Sequence, residues 1–216
     1  MAGNNVPVNQ CIKPTGWLGR ITLWRMNASH SKLTDWGLKQ ISIENHDTIL
    51  DVGCGGGRTV SKLAAIATQG KVYGIDFSEE SVTATKKTNA RWIDAGRVEV
   101  RDASVSQLPF SDSMFDLVTA VETHFWWPDL PGDVREVLRV LKPGGTLIVI
   151  AEVYKGMKTG AGKFVEKYVS RTGLTLLSVA EHRDLFSNAG YSDVQVIEKP
   201  EKGWICTIGR KPPANS

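Results

Sequence analysis

Cysteine is scarce in this sequence, and its few copies lie far apart. The three cysteines, Cys11, Cys54 and Cys206, form no CxxC pattern and no Cys/His spacing. The sequence therefore predicts neither a disulfide framework nor a metal site, and it favours the reducing cytoplasm as the compartment.

Long apolar runs and clustered basic residues are missing as well. No apolar run approaches the roughly 20 residues that cross a bilayer, so we expect no membrane span. The first residues lack the charged-then-apolar order of a signal peptide. The formal net charge is only +3 and the charges are interspersed, so we expect no nucleic-acid partner.

What the chain does contain is a regular alternation of apolar runs and helical stretches. The predicted strands are 48–53, 71–77, 98–103, 115–121 and 146–153, and helices are predicted at 58–68, 79–94 and 131–141. Alternation of this kind indicates a parallel sheet with helices on both faces. A capping-box helix (178–190) precedes strands 193–198 and 204–209, whose short connection requires an antiparallel hairpin.

The predicted fold is thus α/β and Rossmann-like, with a seven-stranded, mostly parallel sheet ending in an antiparallel hairpin. Residues 1–44 are predicted to form a cap segment with a helix at 32–43, because Trp17, Trp24 and nearby apolar residues would be unusual in a disordered tail. Residues 45–216 are predicted to form the main domain, with an insertion at 154–172 over the strand ends.

The sharpest motif is a glycine-rich segment that follows the first predicted strand. It reads Asp51-Val52-Gly53-Cys54-Gly55-Gly56-Gly57-Arg58. Glycines at the start of a helix let backbone N–H groups approach a ligand closely. A dinucleotide loop of the G-x-G-x-x-G type would need a third glycine at position 58, where Arg58 stands. A nicotinamide-dependent oxidoreductase is therefore disfavoured.

Acidic residues end the next two predicted strands. Asp76 is placed to accept both ribose hydroxyls of a nucleoside, and Phe77 to lie against its adenine. Asp102 can take the adenine amino group while a backbone N–H meets a ring nitrogen. Helix-capping and core roles are the simpler alternatives for Asp76 and Phe77 respectively.

Together these motifs resemble the class I S-adenosylmethionine-dependent methyltransferases, in particular the ubiquinone/menaquinone-biosynthesis branch that acts on small molecules. The resemblance covers about residues 45–153 and implies S-adenosylmethionine as cofactor. The residues it implies for cofactor binding are Asp51, Gly53, Cys54, Gly55, Asp76, Phe77, Asp102, Ala103 and Val121. Many relatives have a polar residue at the Val121 position and a His pair where this chain has Phe125-Trp126.

The acceptor site is predicted after the fourth strand, where aromatic residues stand beside one imidazole and one carboxylate. The candidate substrate residues are Glu122, Phe125, Trp126 and Trp127, and the candidate bases are His124 and Tyr154. Core packing is the alternative interpretation of the aromatics. The expected function is methyl transfer to a small molecule; a non-catalytic S-adenosylmethionine-binding protein and a methyltransferase acting on protein side chains stay open. The oligomeric state is left open.

Overall fold

A computed structural model describes residues 31–158 and 174–214. Its strands are β1 (Thr48–Val52), β2 (Lys71–Asp76), β3 (Val98–Asp102), β4 (Phe115–Val121), β5 (Leu141–Ala151), β6 (Ser192–Lys199) and β7 (Trp204–Arg210). They form one seven-stranded sheet in the order β3-β2-β1-β4-β5-β7-β6. Strands β1 to β5 pair in parallel, and β7 pairs antiparallel with both β5 and β6. The predicted fold is confirmed.

The helices cover both faces of this sheet. They are α1 (Ser31–Leu38), α2 (Arg58–Ile66), α3 (Glu79–Thr88), α4 (Ala90–Asp94), α5 (Leu130–Val140) and α6 (Val179–Asn188), with a 3₁₀ turn at His124–Trp126. Successive strand residues point to opposite faces, so Ile49 joins a core with α1 and α2 whereas Leu50 joins a core with α5 and α6. Each fully buried side chain of this size stabilises the fold by about 1.5–3 kcal/mol.

Three element boundaries differ from the predicted ones by more than two residues. Helix α1 ends at Leu38 rather than at residue 43, and the Gln40 amide donates to the Trp36 carbonyl just beyond that end. The helix predicted at 79–94 is interrupted at Asn89 (φ −110°), which separates α3 from α4. Strand β5 begins at Leu141 rather than at residue 146, because Leu141 already pairs with Phe115.

Residues 1–30 of the predicted cap segment (1–44) and residues 159–172 of the predicted insertion (154–172) lie outside the described residues. The described part of the N-terminal segment, α1, packs tightly on the sheet. A Cβ placed on Gly37 would lie only 2.3 Å from Ile150 Cδ1 of β5. Within residues 31–158 and 174–214, no helix combines the length and the hydropathy that crossing a membrane requires.

Candidate active site

The chain leaves β1 in a loop of residues 53–57, here called the glycine loop, whose backbone favours glycine. Its left-handed glycines are Gly53 (φ 73°), Gly55 (φ 52°) and Gly57 (φ 81°). A Cβ on Gly53 would also lie 2.4 Å from Thr123 Cγ2. The N–H groups of Gly53 and Cys54 both donate to the Ile75 carbonyl, at 2.8 and 2.9 Å. The loop is therefore fixed to the carboxyl end of β2.

Asp76, the last residue of β2, lies directly beside this loop. Its Oδ2 accepts a hydrogen bond from the Gly55 N–H at 2.9 Å, and its Oδ1 accepts one from the Ser78 N–H at 3.0 Å. The side chain is buried, and burial raises its pKa although both N–H groups act in the opposite direction. The carboxylate is thus held in one orientation, and further lone pairs stay available to hydroxyl donors.

A cavity of about 530 Å³ opens at the carboxyl ends of β1, β2 and β4. This is where parallel α/β sheets bind ligands, and β1 lies at the point where the strand order reverses. Ten of the predicted site residues line it: Gly53, Cys54, Gly55, Asp76, Phe77, Ala103, Val121, Glu122, Trp126 and Trp127. The predicted cofactor and acceptor sites therefore share one cavity.

Asp51 lies behind the glycine loop rather than on the cavity wall. It is buried, and its Oδ1 accepts a hydrogen bond from Thr119 Oγ1 at 2.6 Å. Burial raises its pKa to about 7, against the effect of that hydrogen bond, and the nearby charge of Asp76 adds to the increase. Its observed side-chain contact is thus to β4, and this placement does not support the predicted cofactor-binding role.

The residues at the end of β3 contribute to the cavity wall in a different way from the one predicted. Asp102 is exposed and outside the cavity wall, whereas Ala103, Ser104 and Val105 line it. The Ala103 N–H donates to the Asp76 carbonyl at 3.1 Å. The placement therefore supports Ala103 as a wall residue and does not support Asp102 as a direct adenine contact.

The placement of His124 does not support its predicted role as a general base. The imidazole is 1% exposed, is absent from the cavity wall, and has neither ring nitrogen hydrogen-bonded within the described residues. Burial holds its pKa well below the usual value, and the neighbouring His182 lowers it further. The 3₁₀ turn directs this imidazole into the protein, with its ring centroid 5.3 Å from that of His182.

Phe125 and Tyr154 also face away from the cavity. Both are buried in a small cluster with Ala151, Met157 and Ile205. Burial, together with Glu198, raises the pKa of the Tyr154 hydroxyl to about 12. This placement does not support Tyr154 as a base, and Phe125 packs in the core, which is the alternative interpretation given above for the aromatics.

Trp126 and Trp127 are different, because both line the cavity together with Pro128. Glu122 stands between them and β4, at an unusual positive φ of 60°. Its carboxylate accepts a hydrogen bond from the Glu152 N–H after β5. This contact holds the β4 loop at the sheet edge, where its two tryptophans form an apolar wall.

Sequence reasoning missed several residues of the site. Ser31 and Thr34 of α1 reach the cavity wall. Thr123 packs against Gly53, and its Oγ1 donates to the Val52 carbonyl at 3.1 Å. A threonine directly after Glu122 gives no recognisable signal in the sequence, since its role depends on the packing of β4 against the glycine loop.

Comparisons with known proteins show which family the chain resembles. A family model described as a methyltransferase domain matches residues 50–149. The chain is 32% identical over 205 residues to demethylmenaquinone methyltransferase of Shouchella clausii, covering 81% of this chain and 83% of that protein. It is 31% identical over 190 residues to the uncharacterized methyltransferase YdaC of Bacillus subtilis, covering 87% and 96% respectively.

The O-methyltransferase cnsE of Penicillium expansum is a longer relative. It is 29% identical over 159 residues, which are 74% of this chain and 57% of that protein. Among solved structures, a SAM-dependent methyltransferase from Aquifex aeolicus superposes with a TM-score of 0.70 at 21% identity, covering 88% of this chain and 97% of that one. This likeness supports the fold.

The fold is a Rossmann-like sheet with a cavity at its carboxyl edge, the place where sheets of this class bind nucleotide cofactors. The relatives give the specific class: this chain belongs to the class I S-adenosylmethionine-dependent methyltransferases. Its cofactor is S-adenosylmethionine, and its activity is methyl transfer. The family predicted from the motifs is confirmed.

Proposed function

We propose that this methyltransferase acts on a small apolar acceptor that binds against Trp126 and Trp127. The observation that carries the proposal is the continuity of the cavity: the glycine loop and Asp76 form one side of it, and Trp126–Pro128 form another. A cofactor on the first side would present its methyl group toward the second. Aromatic walls of this kind are typical of pockets for small apolar ligands.

We infer the orientation of the cofactor from the chemistry of the wall. Asp76, a buried acceptor of hydrogen bonds, would take the ribose hydroxyls. Phe77, with 45% of its surface exposed at the cavity, would stack on the adenine beside Ala103. The methionine portion would then lie along Gly53 and Gly55, beside Cys54 and Val121. The buried Cys54 thiol, whose pKa burial raises well above its usual value, would pack there as a neutral group.

The charges of the wall suit a zwitterionic ligand. Within the described residues, the wall carries one cationic side chain, Arg58, and two carboxylates, Asp76 and Glu122. Arg58 is the first residue of α2 and directly follows the glycine loop. We propose that its guanidinium attracts the carboxylate of the methionine portion, while Glu122 faces the positively charged groups.

When bound, S-adenosylmethionine supplies a methyl group that its sulfonium already activates. The chain therefore needs to align the acceptor atom and to exclude water. Trp126 and Trp127 would hold an acceptor at the end of β4, where Glu122 and Thr123 fix the loop. Alignment of this kind can lower a barrier by up to about 7–11 kcal/mol.

The described wall contains no imidazole, since His124 faces the protein interior. The proposal therefore assigns His124 no part in deprotonating the acceptor. Two relatives, demethylmenaquinone methyltransferase and 2-phytyl-1,4-naphtoquinone methyltransferase of Trichormus variabilis, carry quinone substrates in their names. They support a planar aromatic ring as the acceptor. The low net charge of +3 disfavours nucleic acid as the substrate. The low number of cysteines favours the cytoplasm as the compartment.

The test is incubation with S-adenosylmethionine labelled in its methyl group and a pool of small molecules that includes reduced naphthoquinones. We expect label in a small-molecule product and formation of an equal amount of S-adenosylhomocysteine. Label in a protein fraction alone would instead indicate a side-chain substrate. Binding of S-adenosylhomocysteine without any transfer would contradict the proposal and favour a non-catalytic protein.

The variant Trp126→Ala tests the acceptor wall. We expect kcat/KM for the acceptor to fall at least about tenfold, equivalent to about 1.4 kcal/mol, while the affinity for S-adenosylhomocysteine stays within threefold. Trp92→Ala is the matched control, because Trp92 lies on α4 and not on the cavity wall. Equal kinetic losses in both variants would show that Trp126 acts through stability alone.

A further inference from the structure

One face of α3, continued by Asn89 at its C-terminal cap, contacts the glycine loop from behind. The three side chains concerned donate hydrogen bonds to consecutive loop carbonyls: Thr85 Oγ1 to Gly55 O (2.8 Å), Thr88 Oγ1 to Gly56 O (2.9 Å) and Asn89 Nδ2 to Gly57 O (2.9 Å). Positions i, i+3 and i+4 project from the same side of a helix. Each of the three loop carbonyls therefore accepts a hydrogen bond from its own side chain on this face of α3.

Asn89 also explains the break between α3 and α4. Its Nδ2 donates to the Thr85 carbonyl at 3.0 Å as well as to the Gly57 carbonyl. Its φ of −110° and ψ of 17° depart from helical values. The amide thus closes the end of α3 and reaches the loop at the same time, and both the helix interruption and the loop contact depend on this one residue.

The glycine loop needs such support because its own sequence gives little rigidity. Glycine adopts left-handed and right-handed conformations with similar ease, so ordering it costs more entropy than ordering any other residue. Four of the five loop residues are glycines. Fixing the carbonyls of Gly55, Gly56 and Gly57 selects one orientation for each following peptide group. The Gly55 N–H, held by Asp76, completes the selection.

We propose that Thr85, Thr88 and Asn89 are positioning residues that hold the glycine loop in its cofactor-binding conformation. They do not line the cavity, so they act through the loop and not on the ligand. The apparent affinity of a site falls in proportion to the fraction of molecules in the competent conformation. Losing one of these hydrogen bonds therefore weakens cofactor binding even when the protein stays folded. The proposal rests on the family's cofactor site being the glycine-loop cavity.

Thr88 offers the cleanest test, because its side chain is exposed and contributes little to the core. Thr88→Val removes the donor and keeps the β-branched shape, while Thr88→Ser retains a hydroxyl. Thr83→Val is the control, since Thr83 is an exposed threonine on the same helix with no hydrogen bond to the loop. Calorimetry with S-adenosylhomocysteine and hydrogen exchange of residues 53–57 in the unliganded protein are the two measurements, at a temperature where all variants are folded.

A single hydrogen bond of this kind is worth about a fivefold change in affinity. We expect Thr88→Val to bind S-adenosylhomocysteine about fivefold more weakly and to exchange its loop amides faster, with Thr88→Ser close to wild type and Thr83→Val unchanged. Wild-type affinity and wild-type loop exchange in Thr88→Val would overturn the proposal. If the wild-type protein itself failed to bind S-adenosylhomocysteine, the cofactor site and not the positioning role would be refuted.

Discussion

Replacing Gly57 with alanine should disturb the glycine loop more than its backbone angle alone explains. Gly57 has φ 81°, and a Cβ there would lie 2.6 Å from Asn89 Nδ2 and 2.8 Å from the backbone Cα of Thr85. The left-handed conformation costs an alanine about 1–2 kcal/mol. Crowding against a backbone atom, which cannot rotate away, adds about 1–3 kcal/mol. We therefore expect Gly57→Ala to lower the free energy of unfolding by about 2–5 kcal/mol.

Gly96→Ala separates the two contributions. Gly96 has a similar φ of 72°, but nothing lies within 4 Å of the Cβ position. This variant should lose only the conformational part, about 1–2 kcal/mol. Urea denaturation of both variants and the wild type gives the comparison, because subtracting one loss from the other leaves the crowding at Gly57.

The same pair of variants links the loop to function. Crowding moves the loop away from its observed conformation, so Gly57→Ala should bind S-adenosylhomocysteine at least about tenfold more weakly, equivalent to about 1.4 kcal/mol. Gly96→Ala should bind it as the wild type does. Equal losses of stability in the two variants would refute the crowding argument. Unchanged affinity in Gly57→Ala would refute the claim that loop geometry sets cofactor binding.

Three other variants test charges. Arg58→Gln should weaken the binding of S-adenosylhomocysteine about tenfold and leave the binding of 5′-methylthioadenosine, which lacks the carboxylate, unchanged. Equal losses of affinity for the two ligands would argue against pairing of Arg58 with the cofactor carboxylate. Burial lowers the pKa of His182 to about 4 in the folded protein. The same imidazole has a pKa near 6.5 in the unfolded chain, so the unfolded chain binds the proton first and the free energy of unfolding falls as the pH drops below 6.5. In denaturation at pH 7 and 5, the free energy of unfolding of His182→Leu should fall by about 2 kcal/mol less than that of the wild type. The same pH dependence in both proteins would contradict this. Because burial raises the pKa of Asp51 to about 7, the stability that its protonated form contributes is lost as the pH rises. Between pH 5 and 8, Asp51→Asn should therefore gain roughly 2–3 kcal/mol of unfolding free energy relative to the wild type. A difference between the two proteins that does not change with pH would contradict this.

The parts of the site that sit at strand ends could be predicted from the sequence. The glycine loop follows an apolar strand, and Asp76 ends the next one. In a parallel sheet, the carboxyl ends of neighbouring strands meet at one edge. Strand assignment alone therefore placed the loop and the carboxylate side by side, and the Gly55 N–H to Asp76 hydrogen bond shows how close they are.

The directions of side chains after β4 could not be predicted in the same way. His124 and Trp126 are two residues apart in one 3₁₀ turn, yet the imidazole is buried against His182 and the indole lines the cavity. Residues in such a turn project about a third of a circle apart, so a small change of register reverses the assignment. Polarity is no guide to direction here, because the polar side chain is the one that faces inward.

The hydrogen bonds from α3 to the glycine loop could not be predicted from the sequence either. The sequence between 79 and 94 has the pattern of one continuous helix, and nothing local marks Asn89 as its interruption. The Asn89 amide donates to the Gly57 carbonyl, which lies 32 positions away in the chain. Contacts of this kind belong to the packing of α3 against the loop, so they become visible only in three dimensions.

The most direct test of the cofactor assignment is calorimetric titration of the wild-type protein with S-adenosylhomocysteine and with NAD, repeated with Asp76→Ala. We predict that one S-adenosylhomocysteine binds per chain and that NAD does not bind. Asp76→Ala should weaken the S-adenosylhomocysteine complex by about 1.5–3 kcal/mol, because a charged acceptor of the ribose hydroxyls is lost. Binding of NAD by the wild type, or unchanged affinity for S-adenosylhomocysteine in Asp76→Ala, would contradict it.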